Sequence, residues 1–207
     1  MSELVRLEYD ALTRQLERMR AMQYAYNRKF FTLLFISSVG VLWGLRDGSV
    51  LFLAAVPFGL VTTGVTASFF LHCCDFARVH ARALEGRINQ LLGGRVLIAS
   101  ELEAEYFYPH ATPKLSGLTW GKRWTLFNWF TLHFCAVWAG VSAVALLGLW
   151  RMLPDLEAAG LTATLLVWAG GNVAVLDRWF GDAAAERRMQ EQLSAVYGGS
   201  AGDVHSR

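Results

Sequence analysis

Four consecutive residues of metal-ligating type, His72, Cys73, Cys74 and Asp75, are the densest chemical cluster in the chain. Zinc takes such donors in a tetrahedron. Neighbouring side chains on a helix point about 100° apart, so four in a row close on one ion only if the helix unwinds. Two buried or membrane-edge thiols are the plainer reading, and a cytosolic setting disfavours a disulfide. Glu101, Glu105 and His110 make a better chelating set, because the two glutamates lie one turn apart. A solvated helix face still accounts for them. The chain has no P-loop, HExxH or CxxC pattern. No catalytic, cofactor-binding or metal-binding residue is therefore assigned, and no cofactor is expected.

A second set is polar rather than reactive. Asn128, His133 and Asn172 fall inside long apolar runs. Polar and ionisable groups at membrane depth are costly and are functional candidates on that ground. Asn128 follows Arg123 by five residues and Asn172 precedes Arg178 by six, which puts the two amides at similar depth. His133 lies deeper. The three form a candidate intramembrane polar site between the third and fourth membrane helices. The competing reading is packing glue, with amides and a neutral imidazole bonding across helices.

The elements that position these groups follow from composition. Of 207 residues, 54% are hydrophobic and only 17% charged, against about a quarter charged in soluble domains. Eight tryptophans suit membrane interfaces. A net charge of +2 argues against a nucleic-acid partner. Three cysteines give no disulfide framework. The charged first segment is no secretory signal peptide, so the first apolar run reads as a retained anchor.

In chain order, residues 1–29 form an amphipathic helix that Ser2 can cap. Val5, Tyr9, Leu12, Leu16, Met19, Gln23 and Tyr26 make a seam at alternating spacings of four and three. That seam packs on its own chain or on a second copy. Residues 30–72 form a first transmembrane hairpin. Gly40 and Gly44 are a GxxxG pair suited to close helix packing, and Arg46-Asp47-Gly48 make the turn. Pro57 kinks the return helix without ending it, with Thr62 and Thr63 satisfying freed backbone groups.

Beyond the membrane, residues 73–124 form a cytosolic helical connection. Ala77, Ala81, Leu84, Ile88 and Leu91 repeat the four-three seam, which predicts an antiparallel hairpin with the N-terminal helix, ended at Gly93-Gly94. Ser100 and Glu103 match a capping box, predicting a short helix over 101–107. Pro109 and Pro113 break the chain, and Trp120, Lys122, Arg123 and Trp124 read as an interfacial anchor. Residues 125–177 form a second transmembrane hairpin with the linker RMLPDLEAA. Residues 178–207 form a C-terminal amphipathic helix and a disordered tail.

Only Arg46 and Arg151 of the nineteen lysines and arginines lie in the two short loops, leaving seventeen elsewhere. The positive-inside rule then places both termini and the middle region in the cytosol. The expected fold is an all-α integral membrane protein of four transmembrane helices, whose long helices extend into a cytosolic helical hairpin.

An amphipathic helix, a tight membrane hairpin and a return helix running into ARVHARALEGRINQLL resemble the layout of SLATT-type small bacterial membrane proteins. These are two-span predicted effectors of nucleotide-signalled defence systems. The similarity covers about residues 1–93, and the second pair of spans lies outside it. It implies self-assembly in a bacterial inner membrane and a pore or membrane disruption under cytosolic control.

Two functions are open. One is a non-enzymatic membrane scaffold, sensor or effector that forms homo-oligomers and takes a cytosolic protein or small-molecule signal. The other is a small channel, transporter or membrane enzyme using Asn128, His133 and Asn172.

Overall fold

The computed structural model describes residues 3–106, 114–115, 118–119, 126–180 and 184–197. Two very long helices dominate it: α1 (Glu3–Asp47) and α2 (Val50–Leu92). A short helix, α3 (Ala99–Tyr106), follows, then a two-residue antiparallel ladder of β1 (Lys114–Leu115) and β2 (Leu118–Thr119). The remaining helices are α4 (Leu126–Met152), α5 (Asp155–Phe180) and α6 (Ala184–Tyr197). The all-α expectation holds apart from that ladder, which follows Pro113, where a helix cannot continue. Four helices, α1, α2, α4 and α5, are long and apolar enough to cross a membrane. The expected Ser2 cap, the anchor at 120–124 and the C-terminal tail lie outside the described residues.

α1 and α2 pair antiparallel along their whole length. Glu8 meets Arg87, Gln15 meets His80, Ser37 meets Thr63 and Gly44 meets Val56, an almost constant register. Gly48, in the left-handed region at φ 67°, makes the turn. Its N–H donates to the Gly44 carbonyl at 3.2 Å, and α2 starts two residues later. α2 continues through the buried Pro57, as expected. The carbonyl freed by the proline belongs to Leu53. Thr62 and Thr63 do not serve it; their hydroxyls donate to the carbonyls of Phe58 and Gly59, one turn back.

The two seams close on each other in the polar half of the hairpin. Leu12 and Met19 pack with Ala81, Leu84 and Ile88 as one core, flanked by Tyr9, Leu16 and Leu91. Alanines at 77 and 81 are fully buried, and their small side chains let the helices come close. A Schellman cap ends α2, with Gly93 at φ 69° and Gly94 N–H donating to the Asn89 carbonyl.

The second pair of membrane-length helices is laid against the first. α4 and α5 each pack mainly on α2 and touch each other sparingly. Leu53, Val56 and Leu60 of α2 form a core with Ala145 and Leu149 of α4. An aromatic ladder, Phe31 on Phe130 and Phe134 on Trp138, ties α1 to α4. Their connection is tighter than expected, because α5 begins at Asp155 rather than at Gly160. Pro154 followed by Asp155 and Glu157 is a favourable helix start.

Candidate functional site

The polar residues of the hairpin converge at one place, where α1, α2 and α3 meet. Arg20 follows Met19 on the α1 seam, and Glu85 follows Leu84 on the α2 seam, so seam packing brings them together. Arg20 Nη2 donates to Glu85 Oε1 at 2.6 Å and to Ser100 Oγ at 3.0 Å. Its other terminal nitrogen, Nη1, donates to Glu103 Oε2 at 2.9 Å and to Gln23 Oε1 at 3.0 Å. Gln23, the one polar residue of the α1 seam, donates in turn to Glu103 Oε1. The carboxylate of Glu85 is 6% exposed and is bonded on both oxygens, the second accepting the Ser100 backbone N–H at 2.9 Å.

That last bond revises the expected capping box. α3 starts at Ala99, and neither Ser100 nor Glu103 turns back on its own helix in the way the pattern predicts. Glu85 of α2 caps the helix instead, and Glu103 reaches across to α1. The cluster holds two carboxylates against one guanidinium. The partial positive charge at the N-terminus of α3 offsets the remaining negative charge. Burial alone would weaken the Arg20 charge, but the bonds to Glu85 and Glu103 outweigh it and raise its pKa above the ordinary value. The site is a charged clamp in which both terminal nitrogens of Arg20 and all four carboxylate oxygens of Glu85 and Glu103 are engaged. Beside it, Asn89 fixes the turn into α3: its Oδ1 accepts the N–H groups of Val96 and Leu97, and its Nδ2 donates to the Leu97 carbonyl at 2.8 Å.

The thiol and acid clusters are placed as follows. Burial, then the neighbouring Asp75, push the Cys74 thiol up to about 12, and its Sγ donates to the Gln23 carbonyl at 3.7 Å. Asp75 accepts from the buried Arg78 at 2.7 Å. Glu101 pairs with Arg95, and His110 lies outside the described residues. No group of three metal-ligating side chains occurs among the described residues.

Two of the three predicted intramembrane residues, His133 and Asn172, have described side chains. Asn172 Nδ2 donates to the Trp168 carbonyl of its own helix at 2.8 Å. His133 is exposed on α4. Asn128 lies on α4, and its side chain is outside the described set. Asn172 does border a cavity of about 430 Å³ between the two helix pairs, lined chiefly by apolar side chains of α1, α2, α4 and α5. The GxxxG pair is divided. A Cβ on Gly44 would meet Val56 Cγ2 at 2.8 Å, whereas Gly40 has nothing within 4 Å. Gly40 instead lines an open groove with Ala55 and Gly59, between the Ser37–Thr63 hydrogen bond and the Gly44–Val56 contact.

A further contact escaped the sequence pattern. His80 Nε2 lies 3.3 Å from Gln15 Nε2 and 3.1 Å from the hydroxyl of Tyr197, the last residue of α6. Burial lowers the His80 pKa, so the ring is held neutral and accepts at Nε2. α6 is thereby latched to the α1–α2 hairpin.

These features define a class: an all-helical protein with four membrane-length helices, two of them prolonged into a clamped polar hairpin. Comparison with known proteins finds no match, whether among family models, curated proteins or solved structures.

Proposed function

We propose that the chain is a non-enzymatic bacterial inner-membrane protein that self-associates and acts as a scaffold, sensor or effector module, controlled through its cytosolic helices. The distribution of lysine and arginine supports a topology with both termini and the polar hairpin in the cytosol. The observation that carries the reading is mechanical. α1 and α2 run unbroken from the clamp at Arg20 and Glu85 to the turn at Gly48. A partner or small molecule that shifts the clamp or unlatches α6 therefore acts directly on the membrane half of the same two helices. The Gly40–Gly59 groove offers the surface for a second copy, because small residues let helices approach within lipid. Opening of a pore on triggering is the output this arrangement would give.

The test is the oligomeric state of the full chain in lipid nanodiscs, together with thiol labelling of single cysteines at Asp10 and Asp47 in intact cells. A defined oligomer, with the Asp47 position reached from outside and Asp10 protected, supports the proposal. A monomer that crosslinks to no other copy in cells would remove self-association, and the reverse labelling would overturn the orientation.

A further inference from the structure

The cavity beside Asn172 sits at membrane depth, and its walls come from all four membrane-length helices. Phe30 and Leu34 of α1 bound it on one side, Phe134 and Trp138 of α4 on another, and Val65 and Leu71 belong to the wall supplied by α2. A dry apolar cavity of about 150 Å³ holds one benzene, six carbons; on that scale about 430 Å³ holds roughly seventeen carbons. That is one acyl chain.

One end of the cavity is marked by charge. Phe30 lines it, and Tyr26 stands one turn earlier on the same face of α1, its ring against Phe70 at 6.1 Å. The ammonium of Lys29 is held over the Tyr26 ring at 4.7 Å. At this level the apolar run gives way to the polar half of the hairpin, where lipid headgroups lie. A fixed cation one turn above an acyl-sized cavity is complementary to an anionic headgroup.

We propose that this cavity holds one acyl chain of an anionic membrane phospholipid whose headgroup meets Lys29. The chain fills the space that the sparing contact between α4 and α5 leaves open, and so acts as part of the packing between the two helix pairs. The proposal rests on the membrane placement of the four helices and not on self-association.

The full chain is reconstituted into phosphatidylcholine vesicles containing a trace of phosphatidylglycerol with a diazirine in one acyl chain. After illumination, the label is expected on Val65, Phe134, Trp138 and Ala139, and to be lost in Ala139→Phe and in Ser142→Leu, either of which fills the cavity. Lys29→Gln should keep acyl labelling but lose an anionic over zwitterionic preference of about fivefold, the worth of one lysine at an anionic surface. Label spread equally over the outward residues Val144, Leu147 and Val167, unaltered by the filling variants, would overturn the site. Copy-to-copy disulfides through Ala139→Cys would assign the cavity to a second protomer and also overturn it. A monomer in nanodiscs leaves the lipid proposal standing, and a failed label map leaves self-association standing.

Discussion

Arg20 and Glu85 lie 65 residues apart in sequence and 2.6 Å apart in space, and this pair joins α1 and α2 to α3 through Ser100. Arg20→Ala leaves Glu85, almost wholly buried, without its cation, and leaves Glu103 and Ser100 without a donor. Breaking a buried pair costs about 3–5 kcal/mol; because the Arg20 side chain is 30% exposed, solvent takes up part of that, leaving roughly 2–3 kcal/mol. Amide exchange in α3 should rise first. The double variant Arg20→Met, Glu85→Leu should recover part of the loss in thermal unfolding, because the buried Glu85 charge is gone while Glu103 still lacks its cation and the Ser100 N–H its acceptor. Equal instability in both variants would mean that the clamp contributes packing and not charge.

The latch between His80 and Tyr197 should respond to pH. The His80 pKa is lowered in the folded chain, so the unfolded or undocked state binds the proton more readily. Docking is therefore fully favourable above the free value of about 6.5 and weakens as pH falls through it toward the lowered one. Exchange protection of α6 should drop on acidification across that window. In His80→Gln the pH dependence should flatten, and Tyr197→Phe should cost about 1 kcal/mol at neutral pH. Protection that increases on acidification would reverse the assignment of a neutral ring.

Two glycines one turn apart should behave differently. Gly44→Ala puts a Cβ into the Val56 side chain at 2.8 Å, and forcing the hairpin apart costs about 1–3 kcal/mol. Gly40→Ala meets nothing within 4 Å and should change stability by less than about 0.5 kcal/mol. Gly40→Leu, which fills the groove, should reduce energy transfer between labelled copies in nanodiscs. Undiminished transfer would move the contact between copies elsewhere.

Cys74 should be nearly inert. With its pKa near 12, the thiolate fraction at pH 8 is about a thousandfold below that of an ordinary thiol. In a Cys73→Ser, Cys135→Ser background, alkylation should be slower by about that factor, and Gln23 substitutions should not speed it greatly, since burial is the main cause. Prompt labelling at neutral pH would show that the hairpin opens at this level.

Much of the hairpin was legible because its seams are periodic. Leu12 and Met19 against Ala81, Leu84 and Ile88 could be read from spacing, as could the glycines at 48 and 93, whose left-handed backbone marks turns. The polar clamp could not be read in this way. Arg20, Glu85 and Glu103 look like ordinary solvated residues until tertiary packing puts them at the edge of the seam. The Ser100–Glu103 pattern even pointed to the wrong partner, because a buried carboxylate from another helix outcompetes a local cap. His80 and Tyr197 carry no spacing signal, since their contact joins elements 117 residues apart.

The 45 residues of α1 extend about 68 Å at roughly 1.5 Å per residue. A hydrocarbon core takes up about 30 Å of that, so the far end of the hairpin stands some 40 Å clear of the apolar layer. At physiological ionic strength electrostatic potentials fade over about 8 Å. The tip that carries Glu8 and Arg87 is thus several screening lengths beyond the lipid surface charge. Whatever meets it there is met as it would be in bulk solution, while the same two helices, at their other end, are apolar enough to cross a membrane.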